Sequence, residues 1–272
     1  MSPTVGQALV QCGLAPIDAQ VLLAHTVGRD RTWLVAHRSD ALTREQSDAF
    51  FALAKRRRDG EPVAYLTGTR EFWGLPFIVT PDVLIPRPET ETLVELALSW
   101  LPRDGAPRVL DLGTGSGAIA LALAKERPDA SVVATDVSSA ALSVARTNAQ
   151  RLGIGNVEFV QSHWYADLPD GTFDAIASNP PYVAAGDPHL TEGDLRFEPE
   201  GALVGGGDGM NALRRIVAGA FPLLRQGGTL IVEHGYNQAD DVRALFEEAG
   251  FADVTSRRDL AGIFRVAGGR KS

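Results

Sequence analysis

The stretch Val109-Leu110-Asp111-Leu112-Gly113-Thr114-Gly115-Ser116-Gly117 reads as an apolar strand that runs into a glycine turn and then a helix. Alternate glycines permit positive φ and let a ligand lie against the backbone. The first free N–H groups of the helix face the same spot. Asp136 closes the next apolar run, where a carboxylate can accept both hydroxyls of a ribose. Outward from this unit, strand-like segments at 108–111, 132–135, 157–161, 173–178, 229–233 and 263–267 alternate with helical ones at 119–126, 140–152, 211–224 and 239–249. Strands spaced by helices of about ten residues or more imply right-handed crossovers and a mainly parallel sheet covered on both faces. The expected fold is α/β. The last strand follows only the short turn 259–262, so it suits an antiparallel addition.

The first 80 residues read differently. Segment 17–25 has apolar residues at helical spacing and ends near Gly28; Thr43-Arg44-Glu45-Gln46 has the form of a capping box opening a second helix. Segment 71–79 reads as a hairpin turning near Gly74, and Pro81, Pro86 and Pro88 then mark a joint between domains. The chain of 272 residues carries a formal net charge of −8. Residues 1–80 hold nine basic and eight acidic side chains, and the remainder 17 and 26, so the acidity sits in the α/β part. An acidic surface argues against duplex DNA as the main partner. The basic run 55–58 reads as a helix C-terminus, where cations complement the dipole. Cys12 is the sole cysteine, which excludes an intrachain disulfide or cysteine-based metal site and fits a reducing compartment. No charged stretch leads into an apolar one at the N-terminus and no run is long enough to span a membrane, so a soluble, cytoplasmic protein is expected.

The glycine turn alone leaves the cofactor open. Gly113, Gly115 and Ala118 satisfy a dinucleotide signature, with Asp136 near the expected roughly 20-residue spacing. The same turn equally fits enzymes that bind S-adenosylmethionine. Asn179-Pro180-Pro181-Tyr182, directly after the strand 173–178, decides between them. An Asn and two prolines at a strand tip make a stiff rim whose carbonyls lack ladder partners. Such a rim can accept both N–H bonds of a planar amine or amide through the Asn179 side-chain oxygen and the Pro180 carbonyl. Pro181 would hold the geometry and Tyr182 would stack on the flat group. Hydride transfer has no use for this arrangement. Methyl transfer does, because accepting both N–H bonds enriches the nitrogen and stabilises the positive charge it acquires.

Together, 85–91 (Ile-Pro-Arg-Pro-Glu-Thr-Glu), 111–117 and 179–182 resemble the bacterial peptide chain release factor glutamine methyltransferases. Phe197-Glu198-Pro199, Ala202-Leu203 and Gly206-x-Asp208-Gly209 are similar to that family too. The match runs from about residue 60 to the C-terminus. The resemblance implies a seven-stranded, mostly parallel Rossmann-like class I methyltransferase domain at 85–272. It also implies a linking β-hairpin at 71–84 and a small helical domain at 1–70 that helps recognise the substrate. It further implies S-adenosyl-L-methionine as cofactor, leaving S-adenosyl-L-homocysteine, and the glutamine of the Gly-Gly-Gln motif of class 1 release factors as substrate. Gly113, Thr114, Gly115, Ser116, Gly117, Asp136, Trp164 and Asn179 would then hold the cofactor, with Trp164 near the adenine. Asn179, Pro180, Pro181 and Tyr182 would grip the glutamine, with Asn179, Pro180 and Tyr182 catalytic. No metal, membrane or direct nucleic-acid substrate is expected, and the chain is expected to be a monomer. Glu89 and Glu91 suit either a helix N-terminus paired with Arg87 or a segment closing over the cofactor. The 205–209 glycine cluster reads as a loop over the active site or an ordinary surface loop. The alternatives are an adenine-amine DNA or RNA methyltransferase using the same rim, disfavoured by charge, and a binding module without catalysis.

Overall fold

The computed structural model describes residues 2–272 and divides into two compact units. The first comprises the residues up to Thr69 together with Thr191–Phe197. It is built from helices α1 (Val5–Gln11), α2 (Pro16–Val27), α3 (Arg31–Ala36), α4 (Arg44–Arg58) and α5 (Val63–Thr67). The capping box at Thr43 is present, with Gln46 N–H donating to Thr43 Oγ1 (3.1 Å) and Thr43 N–H to Gln46 Oε1 (3.0 Å). Thr4 and Gln7 form a second box that opens α1. Gly28 ends α2 in the left-handed conformation, and the basic run 55–58 does close α4. Phe50, Leu22, Leu23 and Leu34 are fully buried among these helices. Arg57 bonds Asp18 and Asp194, and Arg196 bonds the Asp59 carbonyl, which fixes the distant segment 191–197 to this unit. No linear domain boundary anticipates that return.

The second unit spans Arg70–Leu190 and Glu198–Ser272. Strands β1 (Thr69–Phe72) and β2 (Leu75–Ile78) form the expected hairpin, with Gly74 in its turn. There follow α6 (Glu91–Trp100), β3 (Arg108–Leu112), α7 (Ala118–Glu126), β4 (Ser131–Asp136), α8 (Ser139–Leu152), β5 (Val157–Gln161) and β6 (Phe173–Ser178). After the short α9 (Glu200–Leu203) come α10 (Asn211–Leu223), β7 (Leu224–Glu233), α11 (Ala239–Glu248), β8 (Phe251–Arg258) and β9 (Phe264–Lys271). The seven-stranded sheet runs β5-β4-β3-β6-β7-β9-β8, parallel from β5 to β7, with β9 antiparallel to both neighbours.

Both faces of the sheet are covered, so its central strands are mostly apolar. Val109, Val132 and Ala134 pack under α6, α7 and the hairpin, whereas Leu110, Leu112 and Val133 pack under α10 and α11. Two elements differ from the sequence expectation. Strand β7 begins five residues early because a register shift accommodates Gly227-Gly228. Strand β8 escapes pattern reading: it is a half-exposed edge strand with Asp253 at φ 52 and two register shifts against β9.

Candidate active site

Chain order reverses between β3 and β6: β4 and β5 extend the sheet on one side, β7 on the other. In doubly wound sheets, ligands bind beyond the carboxyl ends of the strands at such a point. A cavity of about 340 Å³ lies there, walled by Gly113, Thr114, Gly115 and Ser116 after β3, Asp136 and Val137 at the end of β4, and Asn179 and Pro181 after β6. Trp164, His163, Arg87, Thr90 and Pro199 also line it.

Each wall has a local cause. Gly113, Gly115 and Gly117 take φ values of 72°, 55° and 85°, which a side chain adopts only with strain. A Cβ on Gly115 would meet nothing within 4 Å, so its open side faces free space. Gly117 differs. It does not line the cavity, and a Cβ there would press on Leu121 at 3.0 Å and Ala145 at 3.3 Å. Its glycine serves helix packing rather than ligand approach. Asp136 accepts the Gly115 N–H through Oδ2 and the Ser138 N–H through Oδ1, both at 2.9 Å. Burial pushes its pKa up against those hydrogen bonds. Beneath the turn, fully buried Asp111 accepts from Thr114 Oγ1 (2.6 Å) and the Ala120 N–H (3.1 Å); burial raises its pKa to about 7. Trp164 sits at φ 58, one edge 3.9 Å from where a Gly113 Cβ would be. Its turn is tied by Ser162, whose hydroxyl donates to the Trp164 carbonyl.

The rim is more deeply braced than its sequence suggests. Asn179 Nδ2 donates to Thr90 Oγ1 (3.1 Å), which donates to Glu233 Oε2 (2.6 Å); Tyr182 donates to Glu233 Oε1 (3.0 Å). Among the described residues, Asn179 Oδ1 makes no hydrogen bond, and it is not a sealed buried atom. The acceptor expected to meet a substrate N–H is therefore free of protein partners in a residue that lines the cavity. Pro180 is buried, and neither it nor Tyr182 lines the cavity. Tyr182 is anchored at its hydroxyl and packs against the core beside β6, which departs from a ring standing free to stack.

Three further expectations are corrected. Arg87 pairs with neither Glu89 nor Glu91; its guanidinium bonds Glu198, whose fully buried carboxylate also accepts the Ile85 N–H (3.0 Å). Glu91 accepts the Trp73 N–H (2.8 Å) and so anchors the hairpin, and neither acidic residue lines the cavity. The 205–209 cluster does not cover the cavity either. Side chains on Gly205 or Gly209 would strike the carbonyls of Pro181 and Tyr182, so those glycines let one backbone pack against the other. Thr90 and Glu233 went unread in the sequence. The available signal was Glu233's position: a carboxylate ending an apolar strand next to the one that leads into Asn179.

A sheet of this order, its last strand reversed and its cavity opening where the order turns, defines a class I methyltransferase. A solved methyltransferase from Pyrococcus furiosus shares the fold, with a TM-score of 0.56 and 21 % identity over 80 % of this chain and 97 % of that one. Residues 90–194 match the Methyltransferase small domain family and residues 5–68 the PrmC N-terminal domain family. A release factor glutamine methyltransferase of Burkholderia pseudomallei is 53 % identical over 99 % of this chain and 97 % of its own length. One from Bordetella pertussis is 54 % identical, over 96 % and 97 % respectively. The chain belongs to the release factor glutamine methyltransferase family, and it is a protein-glutamine N-methyltransferase.

Proposed function

We propose that this enzyme methylates the side-chain amide nitrogen of the glutamine in the Gly-Gly-Gln motif of class 1 peptide chain release factors. S-adenosyl-L-methionine is the donor and S-adenosyl-L-homocysteine the product. The observation that carries the reading is one cavity holding both the open turn 113–116 beside Asp136 and the unpaired Oδ1 of Asn179. These residues fit the cofactor. The open side of Gly115 leaves room against the backbone, Asp136 keeps acceptor capacity for ribose hydroxyls, and Trp164 offers an aromatic face for adenine. When bound, the cofactor supplies an electrophilic methyl on a sulfonium.

The protein's own part is alignment. An amide nitrogen is a weak nucleophile because its lone pair is delocalised. Asn179 Oδ1 accepts one N–H bond. The carbonyl of Pro180, a buried residue that lies between the cavity-lining Asn179 and Pro181, accepts the other. Together they turn the nitrogen toward the methyl and stabilise its developing charge. Pro181 fixes the rim and Tyr182 supports it from the core side. No strong base is required before attack, because the nitrogen sheds its proton to solvent only as or after the methyl is transferred. The helical domain of residues 1–70 contributes to recognition of the protein substrate, 71–84 is the linker and 85–272 the catalytic domain. The enzyme works in the cytoplasm as a monomer, where its translational substrate resides. No helix among the described residues is long and apolar enough to cross a membrane.

Incubation with release factor and S-adenosylmethionine, followed by peptide mass spectrometry, tests the reading. One added methyl on the Gly-Gly-Gln glutamine is expected. Methyl transfer to nucleic acid, with release factor unmodified, would replace it with the adenine-amine alternative.

A further inference from the structure

Thr90, which borders the cavity with its side chain almost fully buried, and the carboxylate of Glu233 behind it brace the rim with no role in the reading above. They belong to different elements: Thr90 ends the 3₁₀ turn Pro88–Thr90 and Glu233 ends β7. Both are nearly inaccessible, at 4 % and 1 % exposure. We propose that Thr90 and Glu233 form a positioning relay that locks the Asn179 amide with its NH2 on Thr90 and its oxygen free for the substrate. This deepens, and rests on, the assignment of Asn179 as the residue that receives the substrate amide.

The donor and acceptor inventory makes the case. Above about pH 7, where Glu233 is ionised, its carboxylate only accepts, and a hydroxyl owns a single hydrogen. Glu233 Oε2, at 2.6 Å, takes the Thr90 hydrogen. Thr90 Oγ1 is thereby left with lone pairs alone toward Asn179, 3.1 Å away. Only the NH2 of an asparagine can meet it; the flipped amide would set oxygen against oxygen. The two ends of an asparagine amide are nearly equal in shape, so packing cannot tell them apart and hydrogen bonding must. The catalytic cost of a flip is direct, because an NH2 facing the cavity would repel the substrate N–H instead of accepting it.

Glu233's other oxygen takes the Tyr182 hydroxyl at 3.0 Å. One buried carboxylate thus holds both flanks of Pro180-Pro181. Arg265, whose charge favours the ionised carboxylate, and Glu89, which opposes it, are the charged neighbours that bear on Glu233. Arg265 is itself bonded to Asp259 (3.1 Å).

The test compares Thr90→Val, Thr90→Ser, Asn179→Ala and the Thr90→Val/Asn179→Ala double variant in the full-length enzyme. Readouts are kcat and KM for release factor, S-adenosylmethionine affinity by calorimetry, and melting temperature. Valine keeps the shape and removes the hydroxyl; serine restores it. Thr90→Val is expected to lower kcat roughly 10- to 100-fold, the scale of a misplaced catalytic contact. KM and cofactor affinity should stay within about threefold of the parent, since a local rotation leaves the other walls intact. Thr90→Ser should recover most of the rate. The double variant should be no slower than Asn179→Ala alone, because a relay acts only through the residue it orients. A normal kcat in Thr90→Val with an impaired Asn179→Ala would overturn the relay and leave the Asn179 assignment standing. Equal impairment in the valine and serine variants, or a loss confined to KM or cofactor affinity, would overturn it in favour of plain packing. An unimpaired Asn179→Ala would remove the assignment and the relay together.

Discussion

Asp111 and Glu233 are fully buried carboxylates at the rim of one sheet, and burial raises each to a pKa of about 7. For Glu233, hydrogen bonds from Thr90 and Tyr182 oppose that rise without cancelling it. The sign of the consequence is fixed. Between the ordinary carboxylate value and about 7 the folded chain holds a proton that the unfolded chain has released, so stability falls as pH rises through this window. One such proton is worth at most ~1.4 kcal/mol per pH unit. Glu233→Gln is therefore expected to flatten the decline of melting temperature from pH 5 to 7, and an unchanged slope would contradict the buried carboxylate. Asp136 belongs to the cavity instead. Asp136→Ala should weaken S-adenosylmethionine binding by roughly 10- to 100-fold, the loss of a charge-assisted hydrogen bond or two, and unchanged affinity by calorimetry would remove it from the ribose. Asp136 and Asn179 were legible in sequence as cavity-lining positions because one ends an apolar strand and the other directly follows one. Thr90 and Glu233 were not, because their partnership spans 143 positions and only the folded sheet brings them together.

The hairpin β1–β2 is tied to the glycine turn after β3 by one asparagine in α8. Asn148 Oδ1 accepts the Ile78 N–H (2.7 Å), while Nδ2 donates to the Ile78 carbonyl (3.0 Å) and the Ser116 carbonyl (2.9 Å). Almost fully buried, this one side chain holds all three groups. Asn148→Leu leaves a buried N–H and carbonyls unpaired and is expected to destabilise the fold by about 2–4 kcal/mol in urea titration. A change below about 0.5 kcal/mol, within the usual range for surface substitutions, would show that the tether is dispensable. Among the elements, those with punctuation were legible: the capping box at Thr43, the turn at Gly74 and the helix stop at Gly28. Strand β8 was not, because Ala-Asp-Val-Thr-Ser-Arg-Arg on a half-exposed, kinked edge shows no period-two apolar pattern. Arg87 was misjudged for a related reason. Local acidic neighbours looked like its partners, yet the buried carboxylate that claims it lies 111 residues away.

At the scale of the molecule, the division of charge and of fold coincide. A near-neutral helical unit accompanies an acidic α/β unit that owns the whole cavity. Under the proposed division of labour, removing residues 1–69 raises KM for release factor while S-adenosylmethionine affinity is retained; an unchanged KM would take substrate recognition away from the helices. Segment 191–197 loses Arg57 and the Asp59 carbonyl in that truncation, so calorimetry on the truncated chain also reports whether the α/β unit stands alone. Sequence made the α/β class and its central glycine turn plain, and a resemblance supplied the strand count. Only the folded chain reveals that a piece of the second half completes the first unit. The central claim is that the Asn179 oxygen receives the substrate amide. The most direct measurement is the single-turnover rate of glutamine methylation by Asn179→Ala at saturating S-adenosylmethionine and release factor. A fall of about 100-fold or more, with cofactor affinity near normal, is predicted; a rate matching the parent enzyme would contradict the account.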